Sequence, residues 1–122
     1  MGKILDLKTI TDNRGSLSVI EKILPFEIKR LYYIYNCNDE VRGGHRHRKT
    51  VQALICVAGS CEVYWTNGKT EETVLLDGPA KCLIVNPEDW HTMSKFTPDA
   101  VLLVLASEYF NADDYIDEGY DK

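Results

Sequence analysis

The stretch VRGGHRHRKTVQALICVAGS, residues 41–60, places two histidines one residue apart, directly ahead of an apolar run. On an extended chain, side chains two residues apart leave the same face, so His45 and His47 are expected to point the same way. Turn signals, Gly43-Gly44 and Gly59-Ser60, lie on either side of the apolar run. The stretch therefore predicts β structure, with a pair of imidazoles at the mouth of an apolar core.

Similar short runs of β-branched, aromatic and other apolar residues recur along the chain and predict further strands. The predicted strands are 3–10, 17–21, 28–35, 51–58, 61–65, 73–76, 81–85 and 101–106. Asn67-Gly68 predicts a two-residue hairpin turn, because both central positions of such a turn need a positive φ. The only helical prediction is a short piece within 111–120, where Asn111 is a suitable cap. We expect an all-β, antiparallel sandwich or barrel.

Length and composition predict one domain, residues 1–122, large enough to bury its own core. A hydrophobic content of 44% and a charged content of 27% are typical of globular proteins. No apolar run reaches the roughly 18 residues that a membrane span needs, and the N-terminus lacks the apolar block of a secretion signal. The cysteines form no CxxC pair, which favours buried, reduced thiols and a cytoplasmic location. They are Cys37, Cys56, Cys61 and Cys82.

The net charge of −5 is unevenly distributed. Four cations and no acid lie within residues 41–50: Arg42, Arg46, Arg48 and Lys49. Six acids lie within residues 107–122: Glu108, Asp113, Asp114, Asp117, Glu118 and Asp121. We interpret the acidic stretch as a solvated tail. The basic cluster favours a small anion over nucleic acid, because an acidic chain repels a long polyanion.

The spacing of His45, His47, Gln52 and Gly59 resembles the first motif of the cupins, in which two histidines and a glutamate usually bind a metal. His91 in NPEDWHTM resembles a shortened second motif. Three interpretations stay open: a three-histidine metal site, surface strand residues, or proton transfer. Gln52 in place of the carboxylate and the nearby arginines disfavour a dication. We favour proton transfer, because imidazole titrates near neutral pH and an arginine beside it can stabilise an enolate.

Over nearly its whole length the chain resembles the dTDP-4-dehydro-6-deoxyglucose 3,4-ketoisomerases, cupin enzymes that make precursors of 3-amino-3,6-dideoxyhexoses for bacterial surface glycans. The segments that carry the resemblance are DNRGSLSVIE (12–21), PFEIKRLYYIY (25–35), RGGHRH (42–47), QALICVAGSCEV (52–63), WHTM (90–93) and VLLVLASEYFNADDYI (101–116). It implies a cupin-type antiparallel β-barrel, or jelly roll, that forms a homodimer by exchanging N-terminal strands. It also implies a dTDP-linked 4-keto-6-deoxyhexose as substrate, no metal or other cofactor, and no nucleic-acid or membrane partner.

By this resemblance His45 removes the C3 proton, and His47 moves a proton between O3 and O4 or protonates C4, although the assignment of base and shuttle stays open. Arg42 stabilises the enediolate or holds the diphosphate. Substrate-lining positions are Arg14, Arg30, Tyr32, Gln52, Trp90 and His91. Strand parity puts Arg30 and Tyr32 on one face and Tyr33 in the core. The same parity turns Gln52 away from His47 unless the chain bends.

Arg14 and His91 fit the pattern of family members whose new C4 hydroxyl is axial, so the resemblance favours a 3-dehydro-6-deoxygalactose product. The alternatives are a glucose-configured product, a 3,5-epimerase-like cupin and a non-catalytic sugar- or metal-binding cupin. One departure concerns HRHR, where the family has a small residue and then lysine. We expect Arg46 to face away from the histidines and to reach solvent or an acid.

Overall fold

The computed structural model describes residues 2–120, which form twelve strands and one 3-10 turn. The strands are β1 Lys3–Asp6, β2 Lys8–Asp12, β3 Gly15–Val19, β4 Arg30–Ile34, β5 Arg42–His47, β6 Gln52–Ala58, β7 Cys61–Thr66, β8 Glu71–Leu76, β9 Lys81–Val85, β10 Trp90–Ser94, β11 Val101–Ala106 and β12 Tyr115–Ile116. The predicted C-terminal helical piece is the 3-10 turn Ala112–Asp114, which Asn111 caps by accepting a hydrogen bond from the Asp113 amide. No helix in this part of the chain is long and apolar enough to cross a bilayer.

The strands form two five-stranded antiparallel sheets and a separate hairpin. Sheet I has the order β1-β9-β6-β11-β4, and sheet II has the order β12-β5-β10-β7-β8. Among residues 2–120, β2 pairs only with β3. The all-β, antiparallel prediction is therefore confirmed. The sheets pack face to face as an open jelly roll and do not close into a continuous barrel.

The main core lies between the two sheets. Leu54, Leu83 and Leu102 contribute from sheet I, and Val63 and Trp65 from sheet II, each at most 1% exposed. Strand β7 alternates buried and half-buried residues, the period-2 pattern of a strand with one face on a core. Burying one such aliphatic side chain stabilises the fold by about 1.5–3 kcal/mol, so this layer fixes the relative position of the sheets.

Three local predictions differ from the structure. The predicted strand 3–10 is divided at Leu7 into β1 and β2, which pair with different strands. The β7–β8 hairpin forms, but its loop is 67–70 rather than two residues, because Thr66 pairs with Glu71. The Asn67 side chain accepts hydrogen bonds from the amides of Lys69 and Thr70, which stabilises this wider turn. Strand β10 is missing from the predicted strands, because Trp-His-Thr-Met-Ser is short and polar and lies close to Asn86-Pro87.

The outer face of sheet I is only partly covered. The N-terminal segment packs Leu7 against Ile55, Ile84 and other residues of β6, β9 and β11. Beyond this cover, the edge strand β4 exposes Leu31 and Tyr33, which are 54% and 58% exposed. The prediction that Tyr33 belongs to the core is therefore wrong. The parity was correct, but the outward face of β4 has no covering layer within the described residues.

Candidate active site

The register of sheet II brings the predicted histidines together. His45 in β5 lies opposite His91 in β10, and His47 lies opposite Tyr115 in β12. The ring centroids of His45 and His47 are 5.0 Å apart, and those of His45 and His91 are 5.1 Å apart. The prediction that His45 and His47 share a face is confirmed. His91 completes a cluster of three imidazoles.

A β-bulge at Gly43-Gly44 places Arg42 beside this cluster. The pairing of β5 with β10 shifts there, so that Arg42 lies opposite Met93, which faces inward. Without the shift Arg42 would face away from the histidines, because it precedes His45 by an odd number of residues. Both glycines have a positive φ, +85° and +82°, and a Cβ on Gly43 would lie 2.9 Å from the carbonyl oxygen of His91. Only glycine suits this backbone. The bulge at Gly43-Gly44 therefore turns Arg42 to the same face of the sheet as the imidazoles.

Sheet I supplies the opposite wall. Gln52, 3% exposed, donates from Nε2 to the Tyr32 hydroxyl at 3.1 Å. The guanidinium carbon of Arg30 lies 4.6 Å from the centroid of the Tyr32 ring. The bend that the parity argument required is present, because the chain leaves the strand at residues 48–51 to cross between sheets. Strand parity therefore does not extend from one residue to the other.

Burial keeps the imidazoles neutral. It lowers the pKa of His47 to about 4 and that of His91 to about 4, and it also lowers the pKa of His45. The positive charge of Arg30 lowers the pKa of His47 further, whereas the Asp114 carboxylate raises it. Neutral imidazoles at pH 7 are ready to accept protons.

The ring nitrogens of the histidines differ in their partners. Nδ1 of His91 lies 3.0 Å from the carbonyl oxygen of Asp89, which only accepts, so Nδ1 carries the proton. Both ring nitrogens of His47 are buried and have no hydrogen-bond partner within residues 2–120. A buried imidazole without partners is costly unless a ligand supplies them, so His47 is prepared to bind polar atoms of a substrate.

The C-terminal segment folds back along β5 and is not a solvated tail. Asp114 is 8% exposed, and its carboxylate accepts hydrogen bonds from the Lys49 amide and the Thr50 hydroxyl. Arg48 donates to the carbonyl oxygen of Asp113 at 3.0 Å. The interpretation of the acidic stretch as solvated is therefore wrong where it meets the basic cluster; Asp121 lies outside the described residues.

Arg46 and Trp90 also contact this segment. Arg46 donates from Nε to the carbonyl oxygen of Glu118 at 3.0 Å, and its guanidinium lies 4.5 Å from the Tyr120 ring centroid. It faces away from the histidines as predicted, but its partners are a backbone carbonyl and a ring rather than a carboxylate. Trp90 is half-buried and donates from Nε1 to the carbonyl oxygen of Asp117. Trp90 alternates with the buried His91 along β10 and packs against Tyr64, so its indole lies on the opposite face of sheet II from the histidines, and a single chain does not bring it to their cluster.

Tyr115 is the site residue that sequence reasoning missed. Its ring contacts both imidazoles, with centroids 4.8 Å from His45 and 4.7 Å from His47. The cap at Asn111 indicated a turn just before it, but nothing in the sequence indicated that the chain after this turn pairs with β5.

Arg14 lies apart from the other predicted site residues. It occupies the tip of the β2–β3 hairpin, where its guanidinium forms a 2.6 Å ion pair with Asp12 and is 86% exposed. The described contacts of its side chain stay within the hairpin. A single chain therefore does not bring Arg14 to the histidines.

The donor set does not fit a metal ion. Gln52 stands where a cupin carboxylate is expected, and its amide nitrogen is directed at the Tyr32 hydroxyl. Arg30 and Arg42 add positive charge beside the same space, as their influence on Tyr32 shows. Among residues 2–120 no three side chains of His, Cys, Asp or Glu are arranged to hold a cation.

Comparisons with known proteins converge on one group. The family model FdtA, described as WxcM-like, C-terminal, matches residues 2–122. The TDP-4-oxo-6-deoxy-alpha-D-glucose-3,4-oxoisomerase of Aneurinibacillus thermoaerophilus is 46% identical over 117 residues, covering 93% of this chain and 84% of the relative.

Two crystal structures of the 3,4-ketoisomerase QdtA from Thermoanaerobacterium thermosaccharolyticum are also similar. A histidine-to-asparagine mutant in complex with TDP-4-keto-6-deoxyglucose is 41% identical, with a TM-score of 0.92 over 96% of this chain and 87% of that chain. A double mutant in complex with TDP, with tyrosine replaced by arginine and arginine by histidine, is 42% identical, with the same TM-score of 0.92 and the same coverage, 96% and 87%.

Proposed function

Because the chain belongs to the FdtA family of WxcM-like, C-terminal domains, we propose that it converts dTDP-4-dehydro-6-deoxyglucose into a dTDP-3-keto-6-deoxyhexose. The chain is a 3,4-ketoisomerase, and its proposed product is dTDP-3-dehydro-6-deoxygalactose. A ketone at C3 is the acceptor that a transamination at this carbon requires. The product therefore suits the synthesis of 3-amino-3,6-dideoxyhexoses for surface glycans.

The pair of neutral imidazoles 5.0 Å apart on one face is the observation that carries this proposal. The C4 ketone acidifies the proton on C3, and a neutral imidazole accepts that proton. The electrons of the C3–H bond form the C3=C4 bond, and O4 becomes an enediolate oxygen. Delivery of a proton to C4 and transfer of the O3 proton to O4 then leave the carbonyl at C3 and a hydroxyl at C4. Atoms and electrons balance within the sugar, so no external oxidant or reductant is needed.

Exposure divides the two roles between the histidines. His45 is partly exposed and lies between His47 and His91, so it is the ring that an entering sugar meets first. His47 is 4% exposed, and both of its nitrogens are free to bind substrate. One nitrogen can accept from an oxygen while the other donates to its neighbour. We therefore assign His45 as the base at C3 and His47 as the shuttle between O3 and O4.

The arginines and the tyrosine at the mouth suit the anionic parts of the reaction. Arg42 shares the inward face with the histidines, where a guanidinium stabilises the enediolate charge or holds the diphosphate. Burial raises the pKa of Tyr32, so its hydroxyl stays protonated next to Gln52. We propose that Arg30, Tyr32 and Gln52 line the substrate.

A homodimer explains the position of Arg14. All five residues of β2 are exposed, and a two-stranded hairpin is marginally stable on its own in water. Ile10 and Leu17 are 53% and 58% exposed, and Tyr33 is exposed on the outer face of β4. We propose that each hairpin packs on the partner subunit, which buries these residues and carries Arg14 to the partner's site.

His91 and Arg14 then determine the C4 configuration. His91 is 1% exposed and in contact with His45, so it borders the carbon that is reprotonated. The QdtA double mutant introduces an arginine and a histidine, the same residue types. The galactose-configured product itself rests on the residue types of Arg14 and His91, as the resemblance implies.

An NMR time course of the purified protein with dTDP-4-dehydro-6-deoxyglucose in D2O tests both the proposed reaction and the proposed configuration of its product. We expect loss of the C4 carbonyl signal, a new C3 carbonyl, deuterium at C4 and an axial C4 hydroxyl. Inversion at C3 and C5 with the carbonyl still at C4 would show an epimerase instead. No reaction, together with stoichiometric metal in elemental analysis, would show a metal-binding cupin.

A further inference from the structure

Tyr115 has a relation to the histidine pair that the reaction scheme does not use. Its ring meets the His45 ring at an interplanar angle of 61° and the His47 ring at 66°, with centroids 4.8 Å and 4.7 Å away. Both are edge-to-face contacts, a geometry that aromatic rings favour by about 0.5–1.5 kcal/mol beyond burial. One ring therefore braces both imidazoles.

The backbone of Tyr115 is held from both sides. It pairs with β5, lying opposite His47, so the two residues are direct cross-strand neighbours. The preceding residue, Asp114, is anchored by the Lys49 amide and the Thr50 hydroxyl. Beyond it, the chain is held where Trp90 donates to the carbonyl oxygen of Asp117. The ring of Tyr115 is thus a fixed surface rather than a mobile side chain.

His47 needs such a surface. Histidines in catalytic sites are usually oriented by a hydrogen bond to one ring nitrogen. Neither nitrogen of His47 has a partner in the described chain, so hydrogen bonding within the protein does not set the angle of its ring. Packing must do so, and Tyr115 faces the ring at 4.7 Å while His45 faces it at 5.0 Å.

We propose that Tyr115 is a positioning residue whose ring, rather than its hydroxyl, holds His45 and His47 at the separation and angle that proton transfer requires. This rests on the proposed ketoisomerase reaction. A misplacement of about 1 Å in such a relay costs about 100-fold in rate. The ring also keeps water from the imidazoles and so helps to hold their pKa values down.

The test compares Tyr115→Leu with Tyr115→Phe. We expect kcat of the leucine variant to fall about 100-fold with an unchanged Kd for TDP, whereas the phenylalanine variant stays within about threefold of the wild type. The acidic limb of the pH profile of kcat/KM should move to higher pH in the leucine variant only, because water then reaches His47. Tyr109→Leu is a matched control, since Tyr109 is 72% exposed and contacts Lys29 instead.

Two results would overturn the proposal: full activity in the leucine variant, or an equal loss in the phenylalanine variant, which would assign the function to the hydroxyl. Tyr115→Met replaces the leucine variant if the latter melts early or fails to bind TDP. A wild-type protein without ketoisomerase activity would refute the proposed function itself. In that case nuclear Overhauser effects between the His45 and His47 rings of the TDP complex still decide on positioning, because only loss of the Tyr115 ring should weaken them.

Discussion

The mouth of the jelly roll and the β2–β3 hairpin are both antiparallel pairings that present an arginine, yet only the mouth is complete within one chain. At the mouth, β5 is flanked by β10 and β12, and its histidines contact His91 and Tyr115 of the same chain. The hairpin pairs only with itself, and Arg14 at its tip binds only Asp12 in the described chain. The histidines are therefore brought together within one chain, whereas we expect Arg14 to reach a site only in the proposed homodimer.

The largest expected effect comes from removing the base at the mouth. His45→Asn should lower kcat by about 1000-fold, because asparagine fills the space but cannot accept the C3 proton. Affinity for TDP should remain within a few-fold of the wild type when measured by calorimetry. An active His45→Asn enzyme would show that the base is misassigned. His47→Asn should also lose turnover. Retained deuterium exchange at C3 in this variant would support the assignment of His45 as the base and His47 as the shuttle.

Breaking the bulge tests whether the backbone at the mouth is as constrained as its side chains. Gly43→Ala should destabilise the fold by about 1–2 kcal/mol, because φ is +85° and the new Cβ meets the His91 carbonyl oxygen. We expect kcat/KM to fall about 100-fold, since relief of the clash shifts Arg42 and His91 together. Urea unfolding and steady-state kinetics measure the two effects.

Gly78→Ala is the matched control for this substitution. A Cβ at Gly78 would meet nothing within 4 Å, and its φ is not positive. It should leave stability and activity unchanged. If Gly43→Ala behaved in the same way, the bulge would not be what places Arg42.

The contribution of the mouth to the free energy of unfolding should depend on pH, whereas that of the hairpin should not. The pKa of His47 is lowered to about 4 in the folded state against about 6.5 in the unfolded chain. Between these values the unfolded state binds a proton that the folded state does not, so stability falls as the pH falls from 6.5 towards 4. The loss between pH 7.5 and pH 5 should be about 2 kcal/mol for this histidine.

Urea unfolding at a series of pH values measures this loss. His47→Gln should reduce the slope of unfolding free energy against pH, because glutamine does not titrate. Asp12→Asn in the hairpin should leave the slope unchanged, since exposed ion pairs contribute little to stability. An unchanged slope in His47→Gln would mean that this imidazole is already solvated in the folded protein.

The same contrast explains what the sequence could predict. Alternation in β7 and the spacing of His45 and His47 are local patterns, and the structure confirms both. The pairing of Tyr115 with His47 joins residues that are far apart in sequence, so no local pattern announces it. Gly43-Gly44 was visible as a turn signal, but its use as a bulge depends on β10, a strand too short and polar to predict.

The prediction of a solvated acidic tail, which was made from the charge distribution, was wrong for a related reason. The acidic stretch after residue 107 has the composition of a solvated tail, and composition does not say what lies beside it. In the structure the end of the basic cluster is that neighbour: the Lys49 backbone amide donates to the Asp114 carboxylate, and the Arg48 side chain donates to the Asp113 carbonyl oxygen. Each of these contacts uses a backbone group of one segment, so the charges of the side chains alone do not predict them.

The smallest expected signal decides whether the hairpin completes the partner's site. Arg14→Ala chains should lose the galactose-configured product, and His45→Asn chains should lose turnover. The two are mixed in equal amounts and allowed to exchange subunits, and the galactose-configured product is measured. If the partner's Arg14 serves each site, half of the dimers have one intact site, and about a quarter of wild-type sites should return. If Arg14 acts within its own chain, no mixed dimer has an intact site.

His45→Asn mixed with His47→Asn is the control, because both histidines lie on one strand and no exchange can reunite them. No recovery in the first mixture, with mixed dimers present in native mass spectra, would place Arg14 outside the partner's site and leave the C4 configuration to His91.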